Sequence, residues 1–194
     1  MTGVILAGGK NIRMGTNKAL LNIGEERLID STVDILKDLF NEVIIVTSNP
    51  LEYTYLRATI VTDIFPDKGA LGGLYTGLFF ARSEYAFVAA CDMPFLNRSF
   101  IEYMMENAKG HDIVVPAPPD GLQPLCAVYS RVCLPFIKNL IEKNRLQIKG
   151  FYPGRNILEI TPEVLGTFDP EGRMFINLNT PEDLENLAGT VSKR

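Results

Sequence analysis

At 194 residues the chain fits one domain, since domains run to roughly 100–200 residues, and 46% apolar with 22% charged residues excludes disorder, collagen and coiled coil. Nineteen Lys and Arg against 23 Asp and Glu leave a formal net charge of −4, which opposes binding to nucleic acid or an anionic membrane, so an anionic ligand needs a local exception. The three cysteines, Cys91, Cys126 and Cys133, lack metal-like spacing and read as reduced thiols. With no basic leader and no apolar run near the roughly 18 residues of a membrane span, a cytoplasmic location is expected.

Along the chain, short apolar runs alternate with longer stretches of helical periodicity, the pattern of an α/β fold with a mainly parallel sheet. Val4–Leu6, Val43–Thr47, Thr59–Thr62, Tyr85–Ala90 and Ile113–Val115 are nearly all apolar, as strands covered on both faces should be, and are expected at the sheet's centre. Between them, Ile29, Val33, Leu36 and Phe40 share one helical face. Phe100, Ile101, Met104 and Met105 do so behind an N-cap at Asn97, and Leu134, Ile137, Leu140 and Ile141 form a third stripe. Pro116, Pro118, Pro119, Asp120 and Gly121 make the strongest turn cluster, followed by a strand over Gln123–Tyr129 and a change of topology. Thr180, Pro181, Glu182 and Asp183 start a last helix running to about Leu187, and Val191 to Arg194 reads as a frayed tail.

The local exception follows the first strand. Residues 1–24 hold Lys10, Arg13 and Lys18 and no acid. The paired glycines Gly8 and Gly9 allow close backbone approach, so amide groups and cations converge on phosphate oxygens, which makes a polyphosphate site the direct physical reading. Neither a G-x-x-x-x-G-K-[ST] loop nor the G-x-G-x-x-G spacing is present, which removes the standard ATPase and dinucleotide readings. At Cys91-Asp92-Met93-Pro94-Phe95 an apolar strand ends in a carboxylate, the place where open α/β sheets hold ligands. A carboxylate beside a triphosphate requires a hard cation between them, and Mg²⁺ on Asp92 is the expected solution. The plainer alternative makes Asp92 a turn-forming residue ahead of Pro94. Asp63 is a second strand-end aspartate, with a turn role before Pro66-Asp67 as its alternative.

The run Leu6-Ala7-Gly8-Gly9-Lys10-Asn11-Ile12-Arg13-Met14-Gly15-Thr16-Asn17-Lys18 resembles the L-A-G-G-x-x-x-R-M-G-x-x-K signature of the MobA-like nucleotidyltransferases, which include molybdenum cofactor guanylyltransferase. Further ordered matches are C-D-x-P-F at Asp92, a relative of G-P-L-A-G-x-x-x-G-L at Gly69–Leu78, Q-P-x-x-A-x-Y at Gln123–Tyr129, and F-x-N-x-N-T-P-E-D-L at Phe175–Leu184. In the second of these, Ala70 stands for Pro and Gly72 for Ala, and both changes are expected to loosen the backbone.

The resemblance implies a three-layer αβα, Rossmann-like nucleotidyltransferase fold. It assigns the nucleotide to about residues 1–95 and the acceptor to about 96–190 of one domain. It implies that Leu6, Ala7, Gly8 and Gly9 hold the nucleotide through backbone groups, Asp63 contacts it, and Arg13 and Lys18 neutralise the triphosphate. Asp92 would bind Mg²⁺ and nucleotide, and Asn177 and Asn179 would face the acceptor. The implied reaction transfers GMP from GTP to molybdopterin or the molybdenum cofactor, with proteins of cofactor biosynthesis as partners. A cytidylyltransferase for the same cofactor, or a sugar- or polyol-phosphate nucleotidylyltransferase, shares these motifs and stays open. His111, the single histidine, has no motif partner and reads as a solvated loop residue, so no histidine acid–base chemistry is expected.

Overall fold

A computed structural model of the chain describes residues 1–8, 22–23 and 26–176. The strands are β1 (Thr2–Leu6), β2 (Asn22–Ile23), β3 (Glu26–Arg27), β4 (Val43–Val46), β5 (Thr59–Val61), β6 (Tyr85–Ala90), β7 (Ile113–Pro116), β8 (Cys126–Ser130) and β9 (Ile157–Ile160). The helices are α1 (Leu28–Leu39), α2 (Gly69–Phe80), α3 (Arg98–Glu106), α4 (Leu134–Glu142) and α5 (Pro162–Phe168). Seven strands form one sheet in the order β5-β4-β1-β6-β8-β7-β9, and β2 pairs with β3 apart from it. Strand β8 runs antiparallel to both neighbours, and every other pair in the large sheet is parallel.

Strand periodicity divides the core into two layers. Ile5, Ile45, Phe87 and Ala89 face one side with Ile29, Val33 and Leu36 of α1, Phe100 and Met104 of α3, and Leu165 of α5. Their sequence neighbours Val4, Leu6, Ile44, Val46, Ala86 and Val88 face the other, against Leu71, Leu74 and Leu78 of α2 and Ile137 and Ile141 of α4. Because alternate side chains point to opposite faces and both faces are covered, the central strands are wholly apolar. The result is the expected three-layer αβα arrangement.

Helix α2 sits unusually close to β1. A Cβ on Gly77 would lie 2.4 Å from Cγ1 of Val4, nearer than any real contact, so this position admits only hydrogen. Gly72, at the family's alanine position, is similarly crowded: its Cβ would stand 2.9 Å from the Phe65 carbonyl oxygen. The expected loosening of this segment is therefore not what the glycine does; it allows close packing.

Several expectations need correction. Strand β5 is an edge strand with Thr59 exposed, so among the five apolar runs β4, β1, β6 and β7 lie inside the sheet, with β8 inserted between β6 and β7. The strand expected over Gln123–Tyr129 begins at Cys126. Pro124 has no N–H to give a ladder, and the Cys126 amide instead donates to the Gln123 carbonyl at 3.1 Å, closing a turn. The change of topology is real: the proline cluster returns the chain so that β8 wedges between β6 and β7. His111 is half-buried, with Nδ1 3.0 Å from the Asn107 carbonyl oxygen, so it is part of the α3 exit.

Asn97 caps α3 as expected, accepting from the Phe100 amide at 3.0 Å while its own amide donates to the Phe168 carbonyl at 2.9 Å. Strand β9 and helix α5 were not anticipated, although Thr161-Pro162-Glu163 repeats the cap, proline and acid pattern read at Thr180. The helix at Thr180–Leu187 and the tail lie outside the described residues.

Candidate active site

Strands β5, β4, β1 and β6 are parallel neighbours, so their carboxyl ends share one edge of the sheet, the place where α/β folds bind ligands. Hydrogen bonds extend past the strand ends and hold the following residues in one rim. The Ala7 amide donates to the Val46 carbonyl (2.9 Å), Thr47 to Val61 (3.0 Å) and Cys91 to Leu6 (3.2 Å). The rim therefore carries Ala7-Gly8, Thr47-Ser48-Asn49, Asp63 and Cys91-Asp92 side by side. Since the Leu6 carbonyl and the Ala7 amide are engaged within the protein, Gly8 is the exposed residue whose backbone is presented there. The Ala7 carbonyl is approached by the Tyr53 hydroxyl at 3.4 Å, a long contact from a fully buried residue.

Asp63 leans from the end of β5 across this rim. A Cβ on Gly8 would meet its Oδ2 at 4.0 Å and the Ser48 amide nitrogen at 3.8 Å, and one on Gly73 would meet its Oδ1 at 3.8 Å. The carboxylate thus lies between two glycines, and side chains there would fill the space beside it. Oδ1 is buried without a hydrogen-bond partner. Burial holds the Asp63 carboxyl above the usual carboxylate range; the neighbouring Thr76 hydroxyl opposes this in part. That hydroxyl donates to the Gly72 carbonyl (2.9 Å) and accepts from the Ile64 amide (3.0 Å), so its single proton is not available to Asp63. An orphaned carboxylate oxygen wants N–H or O–H donors and repels phosphate, so this part of the rim suits the nucleoside end of a nucleotide.

Asp92 is half-buried at the end of β6 and on the other side of the Gly8 loop from Asp63. No group of three or more His, Cys, Asp or Glu gathers anywhere among the described residues. A single carboxylate is a poor protein cage for a metal, but it fits a hard divalent ion that draws its remaining ligands from phosphate and water. Cys91 is half-buried and forms no disulfide, whereas burial pushes Cys126 and Cys133 up to about 12, which makes them inert packing residues.

Two residues beyond Asp92, a cavity of about 380 Å³ opens between Pro94 to Asn97 and Asp169, Arg173 and Met174. Its far wall is held by Asp169, whose carboxylate accepts from the amides of Arg173 (3.0 Å) and Met174 (2.6 Å). Of the expected site residues, the structure brings Leu6, Ala7, Gly8, Asp63 and Asp92 to one edge. Gly9, Arg13, Lys18, Asn177 and Asn179 lie outside the described residues. Sequence reasoning missed Thr47, Ser48, Asn49 and Tyr53; the end of an apolar strand at Val46 was the available signal for the first three.

A mainly parallel α/β sheet with a glycine- and acid-bearing rim at its carboxyl edge has the architecture with which nucleotide-binding enzymes hold their ligands. Residues 3–160 match the MobA-like NTP transferase domain, and the chain belongs to that family and is a nucleotidyltransferase. It is 38% identical over 193 residues to the molybdenum cofactor guanylyltransferase of Desulfosudis oleivorans, covering 98% of this chain and 96% of that one. A probable molybdenum cofactor guanylyltransferase of Pelotomaculum thermopropionicum is 40% identical over 185 residues, 94% of this chain and 89% of the relative. Among solved structures, molybdopterin-guanine dinucleotide biosynthesis protein A from Archaeoglobus fulgidus superposes with a TM-score of 0.85 at 25% identity, covering both chains fully.

Proposed function

We propose that this protein transfers GMP from GTP to molybdopterin, releasing pyrophosphate and forming the guanine dinucleotide form of the molybdenum cofactor. The observation that carries the reading is the rim at the carboxyl edge, where the Asp63 carboxylate, with its unpartnered oxygen, lies beside Gly8 and Gly73 and the Asp92 strand end follows on the other side of Gly8, in a chain whose relatives bear that activity in their names. Asp63 accepts hydrogen bonds from the nucleoside, and Leu6, Ala7, Gly8 and Gly9 shape its seat. Arg13 and Lys18 neutralise the triphosphate, and Asn177 and Asn179 hold the acceptor. Residues 1–95 thereby serve the nucleotide and about 96–190 the acceptor, whose place is the side of β6 away from Asp63.

The reaction joins an acceptor phosphate oxygen to the α-phosphorus and breaks the bond from that phosphorus to the oxygen bridging to the β-phosphate. An ionised phosphate nucleophile needs no general base, consistent with His111 lying in the α3 exit. The protein's part is alignment and charge neutralisation. Asp92 would hold Mg²⁺, which supplies Lewis-acid polarisation of the phosphates when bound. The expected setting is the cytoplasm, and no helix among the described residues is long and apolar enough to cross a membrane.

The test presents each nucleoside triphosphate with Mg²⁺ and molybdopterin and follows pyrophosphate release. GTP is expected to turn over. Turnover with CTP alone refutes the base assignment, and turnover with a sugar phosphate alone refutes the acceptor. Asp92→Ala is expected to lower the rate by about 10²- to 10³-fold, the scale of losing a major transition-state charge contact, with an unchanged unfolding transition. Normal turnover by that variant would overturn the metal assignment.

A further inference from the structure

Two buried tyrosines tie the α4–β9 connection to the loop that enters β8. Tyr129, on β8 and fully buried, donates its hydroxyl to the Pro124 carbonyl at 2.7 Å. The Tyr152 hydroxyl lies 2.8 Å from the Tyr129 hydroxyl. Each phenol has one proton, and that of Tyr129 is already given to Pro124, so Tyr152 is the donor within the pair. Burial pushes both phenols above their ordinary range, so the chain from Tyr152 through Tyr129 to Pro124 keeps its protons at any working pH.

The target of this chain is a corner in which every carboxyl-side backbone acceptor is taken. The Gln123 carbonyl accepts from the Cys126 amide (3.1 Å), the Leu125 carbonyl from the Ala90 amide (2.9 Å), and the Gln123 amide donates to Pro116 (3.0 Å). The carbonyl between them, that of Pro124, is the one held by a side chain. Leu125 on Ala90 sets the corner against the end of β6, two residues before Asp92. Because β8 flanks β6 on the side opposite β1, the corner and the Asp63 rim lie on different sides of Asp92. The ring packing of Tyr152, whose centroid lies 5.2 Å from that of Phe151, would be kept by a phenylalanine, so Tyr152→Phe removes the hydroxyl link without removing the ring.

We propose that the Tyr152–Tyr129 hydroxyl chain is a positioning device for the acceptor substrate, fixing the Gln123-Pro124 corner beside the Asp92 strand end. Both residues act through the corner and touch no substrate. The identity of the acceptor rests on the guanylyltransferase reading above; the mechanical role of the chain does not.

The experiment compares the full-length enzyme with Tyr152→Phe and Tyr129→Phe. In Tyr152→Phe, KM for molybdopterin is expected to rise about fivefold, the scale of one net hydrogen bond, while KM for GTP stays within about twofold. Hydrogen exchange at residues 117–126 is expected to quicken, with the rest of the sheet unchanged. Equal shifts in both KM values, or none, overturn the acceptor role. Unchanged exchange at 117–126 overturns the positioning role even if the wild type transfers nothing to molybdopterin, an outcome that would instead refute the guanylyltransferase reading. Should Tyr129→Phe fail to fold, Tyr152→Phe alone decides, because its ring packing is retained.

Discussion

Asp63 holds a carboxylate where its ionised form is penalised, with one oxygen buried and unpartnered between Gly8 and Gly73. Its folded pKa is raised above the unfolded value of about 3.9. Between those two values the folded chain binds more protons than the unfolded one, so the associated stability is present below about pH 3.9 and is lost as pH rises through the folded pKa. Asp63→Asn removes the penalty. The ligand-free variant is therefore expected to melt above the wild type at pH 7, and the gap should narrow as pH falls through the folded pKa toward pH 4, as the wild-type carboxyl takes up its proton. Nucleotide affinity should fall about tenfold for loss of a charged acceptor. Thermal scans at both pH values check the first part, and a gap of equal size at both would refute the buried-charge account. Asp63 was legible in the sequence because it closes an apolar strand at a ligand-binding edge. Tyr53 was not, since its approach to Ala7 joins residues 46 apart and leaves no periodic or motif trace.

Among the elements, α2 has a near-zero tolerance for bulk where it crosses β1. Gly77→Ala adds a methyl 2.4 Å from Val4 Cγ1, and overpacking costs typically 1–3 kcal/mol against a helix-propensity gain of at most about 1 kcal/mol. With an overlap this severe the cost lies at the upper end of that range, so the net loss is expected to be about 2 kcal/mol, read as a lower urea midpoint with an unchanged slope. A variant as stable as the wild type would show that α2 shifts freely on the sheet. The elements that sequence exposed most clearly are those with one dominant signal. Strands β1, β4 and β6 are uniform apolar runs, and α1 and α3 carry stripes at helical spacing. The sequence reading starts β8 three residues early because Leu125 extends its apolar run backward toward Gln123, while the missing proline N–H hands that stretch to a turn. Strand β9 is an edge strand of only four residues with Glu159 within it, too short to show a strand period until its pairing with β7 is known.

For the molecule as a whole, strand order is what the sequence could not supply. Chain order does not tell that β8 enters between β6 and β7, yet this insertion places the Gln123 corner on one side of Asp92 and the Asp63 rim on the other. In a chain with net charge −4 and two carboxylates at one edge, Arg13 and Lys18 would offset only part of a triphosphate's charge, and the repulsion from Asp92 should weaken binding of the polyanion on its own. The chain should bind a divalent ion poorly on its own as well, because no three acidic, His or Cys ligands gather among the described residues. Each ligand supplies what the other lacks: the metal neutralises the phosphates, and the phosphates complete the metal's oxygen shell. The two are therefore expected to stabilise the fold cooperatively. At about 100 times the dissociation constant, a ligand specific for the folded state contributes about 2.7 kcal/mol. At roughly 2–4 °C per kcal/mol for a chain of this size, GTP with Mg²⁺ should raise Tm by about 5–10 °C. GTP with a chelator, or Mg²⁺ without nucleotide, should give far less than half of that rise, and Asp92→Ala should remove the cooperativity. Strictly additive shifts from metal and nucleotide would mean that the two bind at separate places, and the rim at the carboxyl edge would then not be where they meet.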